Sequence, residues 1–347
     1  MDICRFHQLI SITLLLCAGV TVAQEAPEGK SVAVSTPGNL PDPARRQIIE
    51  SQALRYEELL HSGALDEAEN LAKRRVELAI SVSGTRSVEV ADALTDLGIV
   101  QLRRQLYDAA RQNFEAAVDM IIESENRLDA LLVRPLTGLG NTHLRSGQAQ
   151  LAAEVFVGAV HITHVNEGPH NAAQIELLES LAEARLQLGD SEGAKGTRDT
   201  VDALLQRHYG DDKLALVEPL MRQADWLHRA GFILEERETY RDIVQIIRSE
   251  KGRKDLSLVE PLLKLGATYL YIDSTGAQPL SGTATPTGEV YFKRAIRIIE
   301  SNPDASWEIS ANAMVAFGDF YTIRSDFNRA QSSYMDAWQL LSEDPSR

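Results

Sequence analysis

One small residue recurs along this chain at a nearly constant interval. It stands at Gly98, Gly140, Ala182, Ala224, Gly266 and Gly318. Successive positions are 42 residues apart, except for the last pair, which is 52 residues apart. A unit of about 42 residues accommodates two helices and two turns, so the interval predicts a helical solenoid and not one globular core. The ten extra residues predict an insertion in the sixth unit.

Three further columns keep the same interval and define one face of a second helix in each unit. The first column is alanine at Ala68, Ala110, Ala152, Ala194 and Ala330, with Glu236 as an exception. Four residues later comes an aromatic side chain, at Phe114, Phe156, Tyr240, Phe292 and Tyr334, with Arg198 as the exception. A small or aliphatic residue follows three positions further, at Ala117, Ala159, Val201, Ile243, Ala295 and Ala337. The i, i+4, i+7 spacing places the three columns on one helix face. We expect each aromatic ring to fill the gap beside the small residue of the first helix.

These residues carry a resemblance to a known repeat. Leu97-Gly98 with Ala110, Phe114 and Ala117 resembles a tetratricopeptide repeat (TPR), and its equivalents 42 residues on do so too. The interval is similar to that of the longer repeats of kinesin light chains. The resemblance covers residues 44–345 and implies an all-α, right-handed α-solenoid of about seven helix-turn-helix repeats. It also implies a non-catalytic protein-binding scaffold whose first helices line the concave face.

HEAT and armadillo repeats are the structural alternative, since their period also includes 42 residues. The observation in their favour is a recurring Leu-Val-x-Pro-Leu at Pro135, Pro219 and Pro261. A proline inside a first helix would kink it. The paired asparagines common in kinesin-type repeats are replaced here by Thr95-Asp96 and its equivalents, so the ligand preference of that family is not transferred.

The N-terminal 23 residues have the pattern of a secretory signal peptide. Arg5 precedes an apolar run, 9–20, and Ala23 suits cleavage before Gln24. The run is too short to span a bilayer as a helix. We expect an exported protein, periplasmic or secreted, without a stable membrane span; anchoring by an uncleaved segment is the alternative. The absence of any Asn-x-Ser/Thr acceptor favours a bacterial origin.

Two other segments lack a helical period. Residues 24–43 are rich in Pro, Gly, Ser and Ala and predict a flexible linker. Residues 273–287 form the insertion of the sixth unit, for which tolerated decoration and a recognition loop are both compatible with the composition. The formal net charge of −15 argues against nucleic acid or anionic lipid as partners and favours a basic partner.

Three patterns that resemble chemical motifs are better explained by the repeat. Gly189-Asp190-Ser191-Glu192-Gly193 matches a serine nucleophile elbow, but a helix and not a strand precedes it, so we expect a turn. His161, His164 and His170 lack a convincing fourth zinc ligand. Gly138-Leu139-Gly140 lacks the third glycine of a phosphate loop. The sequence therefore predicts no catalytic residue, metal or cofactor.

The candidate binding site is a stripe along the first helices, which helical spacing places on one face. Its residues are Arg134, Asn141 and Arg145 in the third unit; Glu176, Glu179 and Glu183 in the fourth; Glu218, Met221, Asp225 and His228 in the fifth; and Glu260, Leu263 and Tyr271 in the sixth. We expect a groove with a basic end and an acidic centre, where repulsion among like charges would favour a basic protein or peptide. The alternatives are a solvated face without a partner and a self-assembling structural envelope protein, and a homo-oligomer is compatible with either function.

Overall fold

A computed structural model describes residues 42–273 and 288–342, with side chains described for 51–270 and 288–342. This part of the chain is all-α and has no strand. Its fourteen α-helices are α1 Asp42–Ser62, α2 Leu65–Ser83, α3 Val88–Arg103, α4 Tyr107–Ser124, α5 Val133–Arg145, α6 Ala149–Glu167, α7 Gln174–Gln187, α8 Ser191–Tyr209, α9 Val217–Ala230, α10 Ile233–Glu250, α11 Val259–Asp273, α12 Glu289–Glu300, α13 Trp307–Ile323 and α14 Phe327–Ser342. The helices form seven consecutive pairs, which confirms the predicted solenoid of about seven units.

Three segments that the sequence analysis singled out lie wholly or mostly outside the described residues. They are the signal peptide (1–23), the linker (24–43) and the insertion (273–287). At their edges α1 already includes Asp42, and α11 extends to Asp273. Across the described helices, none is both long and apolar enough to cross a membrane.

The starts of the second helices keep the predicted period through the first five pairs. They begin at Leu65, Tyr107, Ala149, Ser191 and Ile233, and each start follows the previous one by 42 residues. The turn between the two helices uses a left-handed residue, which is glycine at Gly63, Gly147, Gly189 and Gly231. Gln105 and Ser325 adopt the same conformation, with φ of 63° and 61°. The turn thus keeps its geometry where the sequence departs from glycine.

The predicted columns meet inside each pair. Phe114 and Phe156 are fully buried. A Cβ atom added to Gly98 would lie 2.8 Å from the ring of Phe114, and one added to Gly140 would lie 2.6 Å from that of Phe156. The ring of Phe114 also lies against Gly138 of the following unit, which gives this glycine a packing role. Each aromatic ring therefore occupies the space that its glycine leaves open.

The first pair uses the same packing with the two sizes exchanged. Tyr56 stands where the later units have glycine or alanine, and Ala72 stands where they have an aromatic residue. Both are buried and belong to one apolar cluster with Leu97 and Val100 of the next pair. A large side chain on the first helix thus replaces the one missing from the second.

The prolines do not kink the first helices. Pro135 is the third residue of α5, and a 3₁₀ turn, Ala130–Leu132, precedes the helix. Pro219 and Pro261 occupy the same position in α9 and α11. A backbone N–H in the first turn has no partner within the helix, so proline costs little there. The expectation of an interior kink, and with it the argument for HEAT repeats, is wrong.

The array is closer-packed on the side of its first helices. Several first helices of neighbouring pairs touch directly, namely α3 with α5, α5 with α7 and α11 with α13. No two successive second helices within the described residues make contacts of comparable extent. A stack whose members approach more closely on one side curves toward that side, so the first helices lie on its inner face.

Candidate partner-binding face

Ion pairs join the first helices of successive units. Arg134 of α5 reaches Asp92 of α3 at 2.8 Å, and Arg229 of α9 reaches Glu183 of α7 at 3.1 Å. Lys264 of α11 lies 3.6 Å from Asp225 of α9. We call the surface formed by α3, α5, α7, α9 and α11 on the closer-packed side the inner face. Its charged side chains bridge the units as well as facing solvent.

One of the two cations of the predicted basic end, Arg134, is neutralised within the protein. Arg134 pairs with Asp92 and also with Asp96, whose side chain is only 2% exposed. Arg75 of α2 pairs with the same buried carboxylate, and the Tyr56 hydroxyl donates to the backbone oxygen of Asp96 at 2.7 Å. Arg134 therefore helps to hold three units together.

Most of the predicted acidic residues have cationic partners too. Glu179 pairs with Arg198 at 3.2 Å, and Glu218 pairs with Arg222 at 3.5 Å. Asp225 also accepts a hydrogen bond from the Tyr240 hydroxyl at 3.2 Å. The expected repulsion among like charges is thus relieved by neighbouring cations. The predicted acidic centre contains acidic and basic side chains in contact with each other.

The remaining predicted residues divide into exposed and half-buried groups. Arg145, Glu176 and Glu260 are exposed and form no ion pair with another described residue. His228 is exposed and contacts Glu236 at 3.1 Å. Residues half-buried on the inner face are Asn141, Met221 and Leu263. Met221 and Leu263 pack against the core of the fifth and sixth units. The side chain of Tyr271 lies outside the described residues.

A buried polar cluster lies beneath the inner face, where the fourth unit meets the fifth. Arg198 is only 4% exposed although it stands in the aromatic column, and its guanidinium lies 5.4 Å from the centre of the Trp226 ring. Asp202, one helical turn later, accepts a hydrogen bond from Gln223 Nε2 at 2.6 Å. Burial raises the pKa of the Asp202 carboxyl to about 6, against the opposing effect of Arg198.

The hydrogen bonds of this cluster are incomplete. Among the described residues, the buried side-chain atoms without a hydrogen bond are Gln52 Oε1 and six atoms of this cluster: Arg198 Nε and Nη2, Asp202 Oδ1, Gln223 Oε1, Trp226 Nε1 and Glu179 Oε1, which has only its ion pair with Arg198. A buried polar atom without a partner costs about 1–3 kcal/mol. The equivalents of Asp202 in other units are all apolar: Val76, Val118, Val160, Val244, Ile296 and Trp338. The contact between α8 of the fourth unit and α9 of the fifth, which we call the polar joint, is therefore polar, whereas the equivalent contacts between other units are apolar.

The motifs that resemble chemistry have structural roles. Gly189 has a φ of 77° after α7, and the Asp190 side chain accepts a hydrogen bond from Gly193 N at 2.9 Å as the N-cap of α8. Ser191 opens that helix, which confirms the predicted turn. His161 and His164 are exposed on α6, as is His170 in the following loop. Within the described residues, no group of three or more His, Cys, Asp or Glu side chains is placed to hold a metal ion.

Comparison with known proteins concerns the fold alone. No protein-family model matches the chain, and no curated protein sequence does. A TPR repeat-containing protein from Cytophaga hutchinsonii is 10% identical, with a TM-score of 0.48 over 84% of this chain and 96% of that one. A putative kinesin light chain with TPR-like repeats from Podosopora anserina is 12% identical, with a TM-score of 0.40 over 78% of this chain and 100% of that one.

A third solved structure is the Rap conjugation gene regulator of the plasmid pLS20, in complex with the Phr* peptide. It is 11% identical, with a TM-score of 0.46 over 91% of this chain and 80% of that one. The helical pairs, their 42-residue period and the large-on-small packing define a TPR-like α-solenoid. The resemblance seen in the sequence is confirmed at the level of the fold.

Proposed function

We propose that this chain is a non-catalytic scaffold that binds a protein or peptide along its inner face. The observation that carries the proposal is the set of ion pairs linking α3 to α5, α7 to α9 and α9 to α11. The apolar clusters that successive units share set their spacing before any partner arrives, and these pairs add to it. A preformed surface loses little conformational entropy on binding, which is the advantage of a solenoid as a docking surface.

The chemistry of the inner face favours an elongated partner with basic side chains. Glu176 and Glu260, on α7 and α11, are exposed acids that pair with no cation in the part of the chain that the structure describes. They flank a region where Met221 and Leu263 offer half-buried apolar surface. Exposed ion pairs contribute only about 0.2–1 kcal/mol each, so apolar contacts must supply much of the affinity.

The proposed location is outside the cytoplasm, in the periplasm or secreted. It is supported by the apolar run from Leu9 to Val20 after Arg5, and by the small residue Ala23 before the expected cleavage point. N-terminal sequencing of the protein from the envelope fraction tests the location. We expect a mature terminus at Gln24, and an intact Met1 would contradict it.

Charge reversal at Glu176 and Glu260 tests the binding face. Glu179 is unsuitable because a lysine there would face the buried Arg198, now 3.2 Å from the carboxylate, and would disturb the fold. The double variant Glu176→Lys, Glu260→Lys is compared with Glu77→Lys, Glu300→Lys. The control reverses exposed acids on the second helices α2 and α12 and changes the net charge equally.

Each protein is immobilised and incubated with envelope extract at two salt concentrations. We expect wild type and control to capture the same partner, with capture falling as salt rises, and the inner-face variant to capture much less. Equal capture by both variants would contradict binding along the inner face. Circular dichroism of each variant shows that the helices are intact.

A further inference from the structure

Within the described residues, nothing covers an apolar stripe on the final helix, α14. Phe327, Met335 and Trp338 of α14 are 66%, 56% and 64% exposed, and Tyr334 beside them is 37% exposed. With Thr322 and Gln331 they line a groove of about 500 Å³. We propose that this stripe pairs antiparallel with the same stripe of a second copy, so that two solenoids join through their C-terminal helices.

In the other units, the positions equivalent to this stripe pack against the next unit. Trp338 stands in the column of Val76, Val118, Val160 and Val244, which pack in clusters shared with the first helix of the next unit. Tyr334 stands in the column of Phe114, whose ring lies against Gly138 of the next unit. A terminal repeat that faces only water normally carries a polar outer surface. Here the terminal positions hold larger aromatic residues instead.

Because the groove is uncharged, a second copy of this chain meets less repulsion there than over the rest of its acidic surface. The chain has a net charge of −15, so two copies repel each other over most of their surfaces. The side chains that line the groove carry no charge. The two charged residues of α14, Arg329 and Asp336, lie about 180° around the helix from the stripe, given about 100° per residue. End-to-end contact also directs the two acidic arrays away from each other.

The opposite end of the array does not match this stripe. The sequence of α1 contains seven charged residues among 21, whereas α14 contains two among 16. Head-to-tail stacking would bury the charged helix against the apolar one and leave no closed assembly. Pairing α14 with α14 is isologous and stops at two copies.

The spacing of the stripe suits antiparallel pairing. Phe327 and Trp338 lie near its two ends, and Gln331 and Tyr334 lie at its middle. A two-fold axis through the middle places Phe327 of one copy beside Trp338 of the other. Because each large side chain has about 200 Å² of surface, the four exposed fractions amount to roughly 450 Å² of apolar surface per copy. An interface of this size is small, so we expect micromolar association.

Sedimentation velocity over a concentration series tests the pairing. We expect wild type to pass from monomer to dimer between about 1 and 500 µM. Trp338→Glu should raise the dissociation constant by at least about 30-fold, because it removes an aromatic anchor and buries a charge in its place. The control Leu234→Glu places the same charge at an apolar residue of α10 that is 62% exposed, and should dimerise like wild type. A wild type that stays monomeric, or a Trp338→Glu variant that dimerises equally, would overturn the proposal.

Disulfide trapping distinguishes the two geometries. In a chain with Cys4→Ser and Cys17→Ser, Gln331→Cys lies near the expected two-fold axis and should form a covalent dimer under mild oxidation. A mixture of Trp338→Cys and Leu54→Cys tests head-to-tail stacking, since Leu54 is 70% exposed on α1. Rapid crosslinking of that mixture, with none at Gln331→Cys, would overturn the antiparallel pairing.

Discussion

The ring of Phe114 occupies the space in which a side chain on Gly98 would have to lie. A Cβ atom on Gly98 would come within 2.8 Å of Phe114 Cε1, closer than carbon atoms pack without movement. The small and aromatic columns are therefore the two halves of one packing device. It recurs where Gly140 meets Phe156 and where Gly266 meets Phe292.

We expect Gly98→Ala to lower the free energy of unfolding by about 1–3 kcal/mol, because the added methyl group overpacks the joint. The matched control is Gly196→Ala in α8, where an added Cβ meets nothing within 4 Å. There the better helix propensity of alanine should raise the free energy of unfolding by about 0.5–1 kcal/mol. Urea unfolding followed by circular dichroism measures both. Equal effects of the two substitutions would contradict the packing device.

A double-mutant cycle at Gly140 and Phe156 tests the same device through coupling. Phe156 is fully buried, so Phe156→Ala should cost about 3–5 kcal/mol. Gly140→Ala alone should be destabilising, because the new Cβ would lie 2.6 Å from the ring. Once the ring is removed, Gly140→Ala should cost nothing or stabilise. We expect a coupling energy of at least about 1 kcal/mol in urea unfolding, and additive effects would argue against direct contact.

The sequence predicted the columns well because each repeats with a fixed period and each has an evident packing role. It could not place the cations of the inner face. Arg229 and Lys264 neutralise acids of the preceding unit, and their partners depend on how far apart successive units lie. A formal charge pattern on one helix carries no such information. The sequence consequently predicted a more negative charge for the inner face than the structure has.

The polar joint between α8 and α9 could have been predicted from the sequence, because two of its residues interrupt columns of the repeat. Arg198 is an exception in the aromatic column. A long cationic side chain at such a position is either exposed to solvent or buried together with polar partners. Asp202 breaks a column that is otherwise valine at four positions. Two exceptions one helical turn apart, of opposite charge, indicate a compensated polar site. Burial of Arg198 beside Trp226 settles which alternative applies.

The left-handed turn residue Gln105 offers a gain in stability. Its φ of 63° is costly for a residue with a Cβ atom, and the equivalent Gly147 adopts a φ of 79°. We expect Gln105→Gly to raise the free energy of unfolding by about 0.5–1 kcal/mol, and the reciprocal Gly147→Gln to lower it by a similar amount. Thermal unfolding of both variants measures the difference. A loss of stability in Gln105→Gly would show that its side chain contributes more than its backbone strain costs.

The pH dependence of stability should report on Asp202. Its carboxyl has a pKa of about 6 in the folded protein, above its ordinary value of 3.8, because burial disfavours the ionised form. Between these two values the folded protein binds a proton that the unfolded chain has released. Stability therefore rises as pH falls from about 7 toward 4, and the ionised carboxylate costs up to about 3 kcal/mol above pH 6.

Asp202→Asn removes this charge and keeps an oxygen that can accept from Gln223 Nε2. We expect the variant to be more stable than wild type at pH 7.5, by about 1–3 kcal/mol, and the difference to shrink as pH falls and to vanish near pH 3, where Asp202 is neutral in both states. The control Asp199→Asn removes a charge from an exposed position of the same helix and should leave the pH profile nearly unchanged. Urea unfolding at half-unit pH intervals gives the three curves. If the Asp202→Asn curve runs parallel to that of wild type, the carboxyl is ionised at low cost and the joint between α8 and α9 is better solvated than its burial indicates.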